Sequence, residues 1–409
     1  MLNTLWLAFF VVSFLAAMFQ WLVLQDADVF SRIVAALFDM AALSVEIVLL
    51  LFGTLTLWMG FLRIAEAAGL VQGLARLLAP LFHRLMPGVP PGHPALGLIT
   101  MNFAANGLGL DNAATPIGLR AMHALQSLNP DPRTATNAQI LFLVLNASSL
   151  TLLPVTIFMY RAQQGAPEPA MVFLPILLAT SASTLTALIS VAFMQRLRLH
   201  DPVVLMWLGG TALVIGGLMA VLAGMSTAAV SATSSLAGNL VLASIITLFV
   251  VCGAIKKVPV YESFIEGAKD GFDVSKNLLP YLVAMLCAVG VLRASGVLDM
   301  LLSLIRDTTL WLGLDARFVD ALPTALVKPF SGSAARAMLI ETMQHFGVDS
   351  FPALVAATVQ GSTETTFYVV AVYFGAVGVQ RVRHTIGCAL LSDLAGVLAA
   401  IGVCYWFFT

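Results

Sequence analysis

The sequence predicts an all-α polytopic membrane protein. About nine transmembrane helices are expected, at ~20 apolar residues per span. Two re-entrant or broken hairpins and two repeats of inverted topology complete the picture. Three observations carry this. The 409 residues are 60% hydrophobic and 10% charged, where soluble domains carry about 25% charged residues, and mean hydropathy is +0.96. Apolar runs long enough to cross a bilayer recur along the chain. Two of those runs hold a polar cluster at their centre, Asn146-Ala147-Ser148-Ser149-Leu150-Thr151 and Gln360-Gly361-Ser362-Thr363-Glu364-Thr365-Thr366. Each unpaired polar group in hydrocarbon costs several kcal/mol, roughly, so such clusters must face protein, water or a ligand.

In order along the chain, Leu2 to Leu24 is an uncleaved first span, because no basic residue precedes Arg32. Asp26 to Asp39 places Phe30, Ile33, Val34, Leu37 and Phe38 on one helical face and reads as an interfacial helix. A span follows from Leu43 to Leu62, then an amphipathic stretch from Ile64 to Met86. Ala95 to Leu128 has two glycines and a proline near its centre, which forbid one smooth helix and suggest two half-helices meeting at a polar loop over 102–115. Pro154 bends or unwinds the span from Thr136 to Tyr160. Spans near 170–195, 203–224 and 237–255 hold few polar groups beyond Ser and Thr and read as scaffold.

The pattern then repeats. Tyr261 to Lys276 is amphipathic, Leu278 to Leu292 is a span, and a semi-amphipathic stretch runs to Gly313. A second broken segment is expected at 328–333, around Lys328-Pro329-Phe330-Ser331-Gly332-Ser333, followed by the span with the second polar cluster and a last span from His384 to Phe408. Arg63 and Arg293, Arg120 and Arg336, and the two polar clusters align in register. The expected organisation is a first span at 1–25, a first repeat at 26–200, linking spans at 201–256 and a second repeat at 257–409. Lys and Arg favour the cytoplasm. The charge-free loop Ser226 to Ser235 therefore lies outside, which puts Arg63 to Thr134 inside, Ala294 to Ser350 outside, and inverts the halves. Arg306, Arg317, Lys328 and Arg336 run against that assignment.

Several motifs are familiar. Lys328 to Ser333, Gln360 to Tyr368, Val372 to Gly375 and Arg383 to Thr385 resemble spore maturation protein B. Met101 to Gly109, Asn112 to Met122, Thr136-Asn137 and Asn146 to Ser149 resemble spore maturation protein A. The chain is similar to a fusion of the two, outside the first span and the span near 203–224. The resemblance implies a gate-domain superfamily that includes concentrative nucleoside transporters and the gates of ferrous-iron transporters. It implies a membrane transport fold with paired hairpins and does not supply a substrate. No GxxxxGK[ST] and no cysteine in the polar clusters supports iron transport.

The candidate lining for a bound solute is Asn102, Asn106, Asp111, Asn112, Thr115, Asn146, Ser148, Ser149 and Thr151 from the first half. From the second half it is Lys328, Ser331, Ser333, Gln360, Ser362, Thr363, Glu364, Thr365 and Thr366. Amides and hydroxyls suit a polar organic solute; half-helix N-termini and Lys328 suit a carboxylate or phosphate. Glu364 either pairs with Lys328 or carries a coupling proton or cation. Ser and Thr can instead bond their own helix, and Asn146 and Gln360 can glue helices. The cysteines show no metal-binding spacing. Neither a metal nor a cofactor is expected, and with no catalytic constellation an enzyme is not expected. The sequence reads as a multi-pass inner-membrane secondary transporter of a small polar or anionic solute, nucleoside-like or carboxylate-like, in contact with lipid and forming a homo-oligomer. The competing reading is a non-transporting scaffold or regulator of envelope or spore-type maturation.

Overall fold

The computed structural model describes residues 2–108, 111–148, 151–197 and 199–409, with backbone only for 2–5, 111–113 and 277. All regular structure described is helical. Seven helices among the described residues are long and apolar enough to cross a membrane. These are α1 (Leu2–Val23), α2 (Val29–Ala67), α8 (Phe173–Gln195), α9 (Pro202–Ala223), α10 (Thr227–Ile255), α11 (Val260–Ala294) and α17 (Thr385–Phe408). Two further expected spans are interrupted ones, α6 (Asn137–Ser148) with α7 (Val155–Gln163), and α15 (Phe351–Ser362) with α16 (Thr366–Ala376). The remaining helices are α3 (Leu70–Leu85), α4 (Pro94–Gly107), α5 (Asp111–Gln126), α12 (Val297–Trp311), α13 (Leu322–Val327) and α14 (Gly332–Phe346).

The separate interfacial helix expected at 26–39 is not there. It runs unbroken into the next span as the 39-residue α2, about 58 Å long at 1.5 Å per residue. Met40-Ala41-Ala42 join the two with strong helix formers, and nothing in between interrupts the hydrogen-bond ladder. Tyr261 to Lys276 and the span after it likewise fuse into α11. Both long helices end in the same way. Gly69 (φ 78) and Gly296 (φ 72) take the left-handed conformation and start α3 and α12. Their amides donate back to Glu66 O and Arg293 O, a helix stop that glycine makes without a Cβ penalty.

The two halves have the same element order and opposite directions. Helices α2 and α11 pack along each other: Cys287 donates to Leu37 O, Phe52 meets Phe272, and Arg63 pairs with Glu266 at 2.8 Å. Residue numbers rise along one helix as they fall along its partner, so these corresponding helices are antiparallel. Arg63 and Arg293 therefore emerge at opposite ends. The last long helices of the halves, α8 and α17, repeat the arrangement. Ser183 and Ser392 hydrogen-bond reciprocally, each Oγ donating to the other's carbonyl at 3.1 and 2.9 Å. Gln195 reaches His384 at 3.2 Å. The turns cross over too. Gln380 and Arg381 donate to Arg133 O at one face. At the other, the buried Arg161 pairs with Asp349 at 2.7 Å and donates to Val348 O at 3.0 Å.

Two of the four cations that ran against the inversion are engaged with aspartates. Arg306 pairs with Asp320 and Arg317 with Asp315, each at 2.6 Å. Asp315 lies in the turn after α12, where the Arg317 side chain and amide pull its carboxyl down to about 2.

Glycines set the spacing of α2 and α11. A Cβ at Gly271 would stand 2.7 Å from Thr56 Cα and 2.8 Å from Leu55 O, both backbone atoms that cannot turn aside. Gly271→Leu is expected to destabilise the protein by about 1–3 kcal/mol through overpacking. Gly53→Leu, where an added Cβ meets nothing within 4 Å, is expected to melt as wild type in detergent. Equal melting temperatures for the two variants would contradict this packing.

Candidate functional site

Four helices stop, and another helix starts a few residues later. Helix α4 stops at Gly107 and α5 starts at Asp111; the two lie antiparallel, with Asn102 Nδ2 donating to Ala114 O at 2.7 Å. Helix α6 stops at Ser148, and α7 starts after Pro154, which has no amide to donate. Helix α13 stops at Val327, one residue before Lys328-Pro329, and Ser331 caps α14 by accepting from Ala334 N at 3.2 Å. Helix α15 stops at Ser362, Thr363 is extended (φ −143, ψ 166), and α16 starts at Thr366. Here Gly361 and three β-branched threonines weaken the helix.

The expected breaks are therefore narrower than the sequence signals. Residues 102–107 and 111–115 of the first broken segment are helical, as are 332–333 of the second. Likewise 146–148 and 360–362 belong to helices, and Thr366 begins one.

The loose ends meet one another. Glu364 N donates to Ala147 O at 3.0 Å, joining the two halves, and Phe367 N donates to Pro329 O at 2.9 Å. Lys328 Nζ donates to Gln360 O at 3.0 Å and Asn106 Nδ2 to Asn146 Oδ1 at 3.0 Å. Thr151 N donates to Thr180 Oγ1 at 3.2 Å. The rings of Phe330 and Phe367 stack at 5.0 Å across the second-half pair.

Most sequence-predicted lining residues lie here. Asn102, Asn146, Ser148, Lys328, Ser331, Gln360, Ser362, Thr363, Thr365 and Thr366 are buried; Asn106, Thr115, Thr151, Ser333 and Glu364 are half-buried. Ser149 lies outside the described residues, as do the side chains of Asp111 and Asn112. Several candidates turn back on their own chain. Ser148 and Ser362, at matching positions, donate to Leu145 O and Val359 O, a helix-internal bond typical of such serines. Ser331 and Ser333 face each other at 3.1 Å. The Lys328–Glu364 ion pair does not form among the described residues; the ammonium is aimed at Gln360 O, and one Glu364 oxygen accepts from Thr365 N at 3.3 Å.

Sequence reasoning missed Asp393 and misjudged α8. Asp393 sits inside the apolar α17, 5% exposed. Thr366 Oγ1 donates to its Oδ2 at 2.7 Å, and its Oδ1 has no partner among the described residues. The charges of Lys328 and Glu364 both act on it. The rule that picks out Glu364, a carboxylate at membrane depth, picks out Asp393 equally. Helix α8, expected as scaffold, brings Thr180 and Thr184 to the first-half break, with Ser148 Oγ 3.3 Å from Thr184 Oγ1. Tyr373 on α16 reaches Asn102 across Gly118, where an added Cβ would stand 2.8 Å from Asn102 Nδ2.

Two cavities of about 340 and 450 Å³ lie at opposite ends of the α2–α11 pair, one against Arg293 and Glu341, the other against Gly69 and Arg76. The polar chemistry lies elsewhere, at the breaks, where side chains pack on one another.

A family model described as Gate, nucleoside recognition, matches residues 48–163 and 275–380. The chain is 45% identical to spore maturation protein B of Bacillus subtilis (strain 168) over 157 residues, 38% of this chain and 86% of that protein. It is 35% identical to spore maturation protein A of the same organism over 189 residues, 46% of this chain and 93% of that protein. No solved structure matches the chain.

The amide pair tests whether the breaks are joined as described. Interhelical hydrogen bonds in membranes contribute about 0.6–2 kcal/mol. Asn106→Ala and Asn146→Ala are expected to be coupled by about 1 kcal/mol in a double-mutant cycle on thermal or denaturant stability. Strict additivity would show that the bond contributes nothing.

Proposed function

The chain belongs to the Gate family of nucleoside-recognition proteins, and from that membership we propose that this multi-pass membrane protein is a secondary transporter whose four helix breaks form a gated site for a small, neutral, donor-rich solute of nucleoside-like chemistry. One observation carries the choice of solute. Two buried acceptors near the breaks, Asn102 Oδ1 and Gln360 Oε1, have no partner among the described residues. Each buried unsatisfied acceptor costs about 1–3 kcal/mol. A solute bearing hydroxyl and amino groups would satisfy them.

A carboxylate-like anion fits less well. The Glu364 carboxyl offers it no donor, and the features that attract anions are already used. Lys328 donates to Gln360 O, and Ser331 caps the start of α14. In this reading the protein is not an enzyme, and it resides in the inner (plasma) membrane. The face carrying Arg76, Arg133, Arg196, Lys256 and Arg381 lies in the cytoplasm, as the positive-inside rule favours.

The mutual hydrogen bonding of the breaks is also what a non-transporting scaffold would show, and uptake separates the two. In proteoliposomes, labelled uridine or adenosine is expected to accumulate above empty vesicles, with succinate excluded. Gln360→Leu removes one acceptor and is expected to weaken solute binding about 5–100-fold with little change in melting temperature. No uptake, and no solute-dependent change in melting temperature with either nucleoside or carboxylate, would leave the scaffold reading standing.

A further inference from the structure

Asp393 is an acid that the fold itself does not require. The reciprocal Ser183–Ser392 pair places corresponding residues of α8 and α17 opposite each other. The next residue along each helix is Thr184 in the first half and Asp393 in the second. A neutral hydroxyl serves the packing in one half, where Thr184 lies 3.3 Å from Ser148 Oγ. The carboxyl in the other half therefore answers a need other than packing.

Its surroundings suit a carboxylic acid better than a carboxylate. An ionised carboxylate has about four acceptor sites. Asp393 receives one hydrogen bond, from Thr366 at 2.7 Å, and its Oδ1 is buried without a partner among the described residues. It lies eight residues into α17, about 12 Å from the helix start. An ion held there costs several kcal/mol, roughly, unless it is well paired.

Few charged groups can assist it. Helices α6, α8, α10 and α15 pack against α17 and carry no charged residue. Helix α16 contributes Tyr368 and Tyr373 as its titratable groups, and α17 itself contributes Cys388, Cys404 and Tyr405. Among the described residues the facing charges come from the two second-half breaks, Lys328 and Glu364. A proton on Asp393 removes the charge that its single hydrogen bond leaves unsatisfied.

We propose that Asp393 carries the exchangeable proton of the site, an assignment that rests on reading the breaks as a gate. The acid proton resides on Oδ1, while Thr366 Oγ1 donates to Oδ2 in both states. When the break at 363–365 opens, the Oδ1–H bond breaks and its electron pair stays on the carboxylate. The proton passes to water entering beside the half-buried Glu364. Closing the break with a proton bound buries a neutral Asp393. Closing it without one buries a carboxylate held by a single hydrogen bond. Proton movement and gate movement are coupled by that difference.

The test reads the proton directly and needs no solute. The full-length protein in lipid nanodiscs is examined by infrared spectroscopy for the C=O stretch of a protonated carboxylic acid, over a pH titration and with deuterium exchange. Wild type is expected to show a band that disappears as pH rises. Asp393→Asn is expected to lose it, Glu364→Gln to keep it but lose it at lower pH, and Asp393→Glu to show it at a shifted frequency. Absence of such a band in wild type at every pH would overturn the proposal. So would its survival in Asp393→Asn, or an unshifted band in Asp393→Glu, a variant that remains informative if the amide variant folds poorly. A titrating Asp393 band in a protein that takes up no solute would sink the transport reading alone. Proton-driven uptake without the band would sink this assignment alone.

Discussion

Backbone amides and carbonyls at membrane depth must be satisfied within the protein, and the centre of this molecule follows from that requirement. Each interrupted helix leaves carbonyls and amides that its own ladder no longer serves. The breaks are placed so that these loose ends serve one another. Glu364 N uses the Ala147 carbonyl at the end of α6, Phe367 N uses Pro329 O, and the Lys328 ammonium uses Gln360 O. No break could be formed alone at this depth without losing those partners. The lining of the candidate site and the structure that holds it are consequently the same set of groups.

Inversion is what brings the ends together. Because α8 and α17 run antiparallel with Ser183 against Ser392, the break on α6 and the break on α15 approach the same level from opposite faces. Two parallel repeats would carry corresponding breaks side by side in the same direction, with no carbonyl end facing an amide end. Among the described side chains at the breaks, the first half offers amides and hydroxyls, while the second adds Lys328, Glu364 and Asp393.

Membrane class, repeat order and the neighbourhood of three of the four breaks were legible in the sequence, because each rests on local signals: apolar length, proline, glycine and clustered polar residues. The break at 363–365 was read only as a polar cluster within a span. Break widths were not legible. A proline removes its own donor, yet the helix before it continues as far as the preceding carbonyls find partners, so α6 reaches Ser148; α15 runs past Gly361 to Ser362 with no proline after it. The interfacial helix was misread because amphipathicity reports which face meets water and says nothing about where a helix ends. Here Gly69 is the first residue after Asp28 to stop the helix. Asp393 escaped notice because it has no polar neighbours in sequence beyond Ser392. Its companions, Thr366, Glu364 and Lys328, are 27 or more residues away. The role of α8 was hidden for the same reason, since Thr180 and Thr184 acquire meaning only from the helices they face.

The strength of the contacts indicates where the molecule can move. Helices α2 and α11 approach so closely that backbone meets backbone at Gly271, and separating them would undo packing along most of their length. The breaks are held differently, by single hydrogen bonds between short irregular segments. A typical intramolecular hydrogen bond contributes about 0.5–1.5 kcal/mol net. Loss of the Glu364, Phe367, Lys328 and Asn106 bonds together therefore amounts to roughly 2–6 kcal/mol. An open state at that height is populated at about one part in thirty to one part in several tens of thousands. A bound solute or a proton with modest preference for one state is enough to move such an equilibrium, since each ~1.4 kcal/mol of differential binding shifts it tenfold. The rigid α2–α11 pair and the lightly stitched breaks together define a frame and a gate. The low-stability element is the one that holds the candidate site, as ligand-responsive segments generally require.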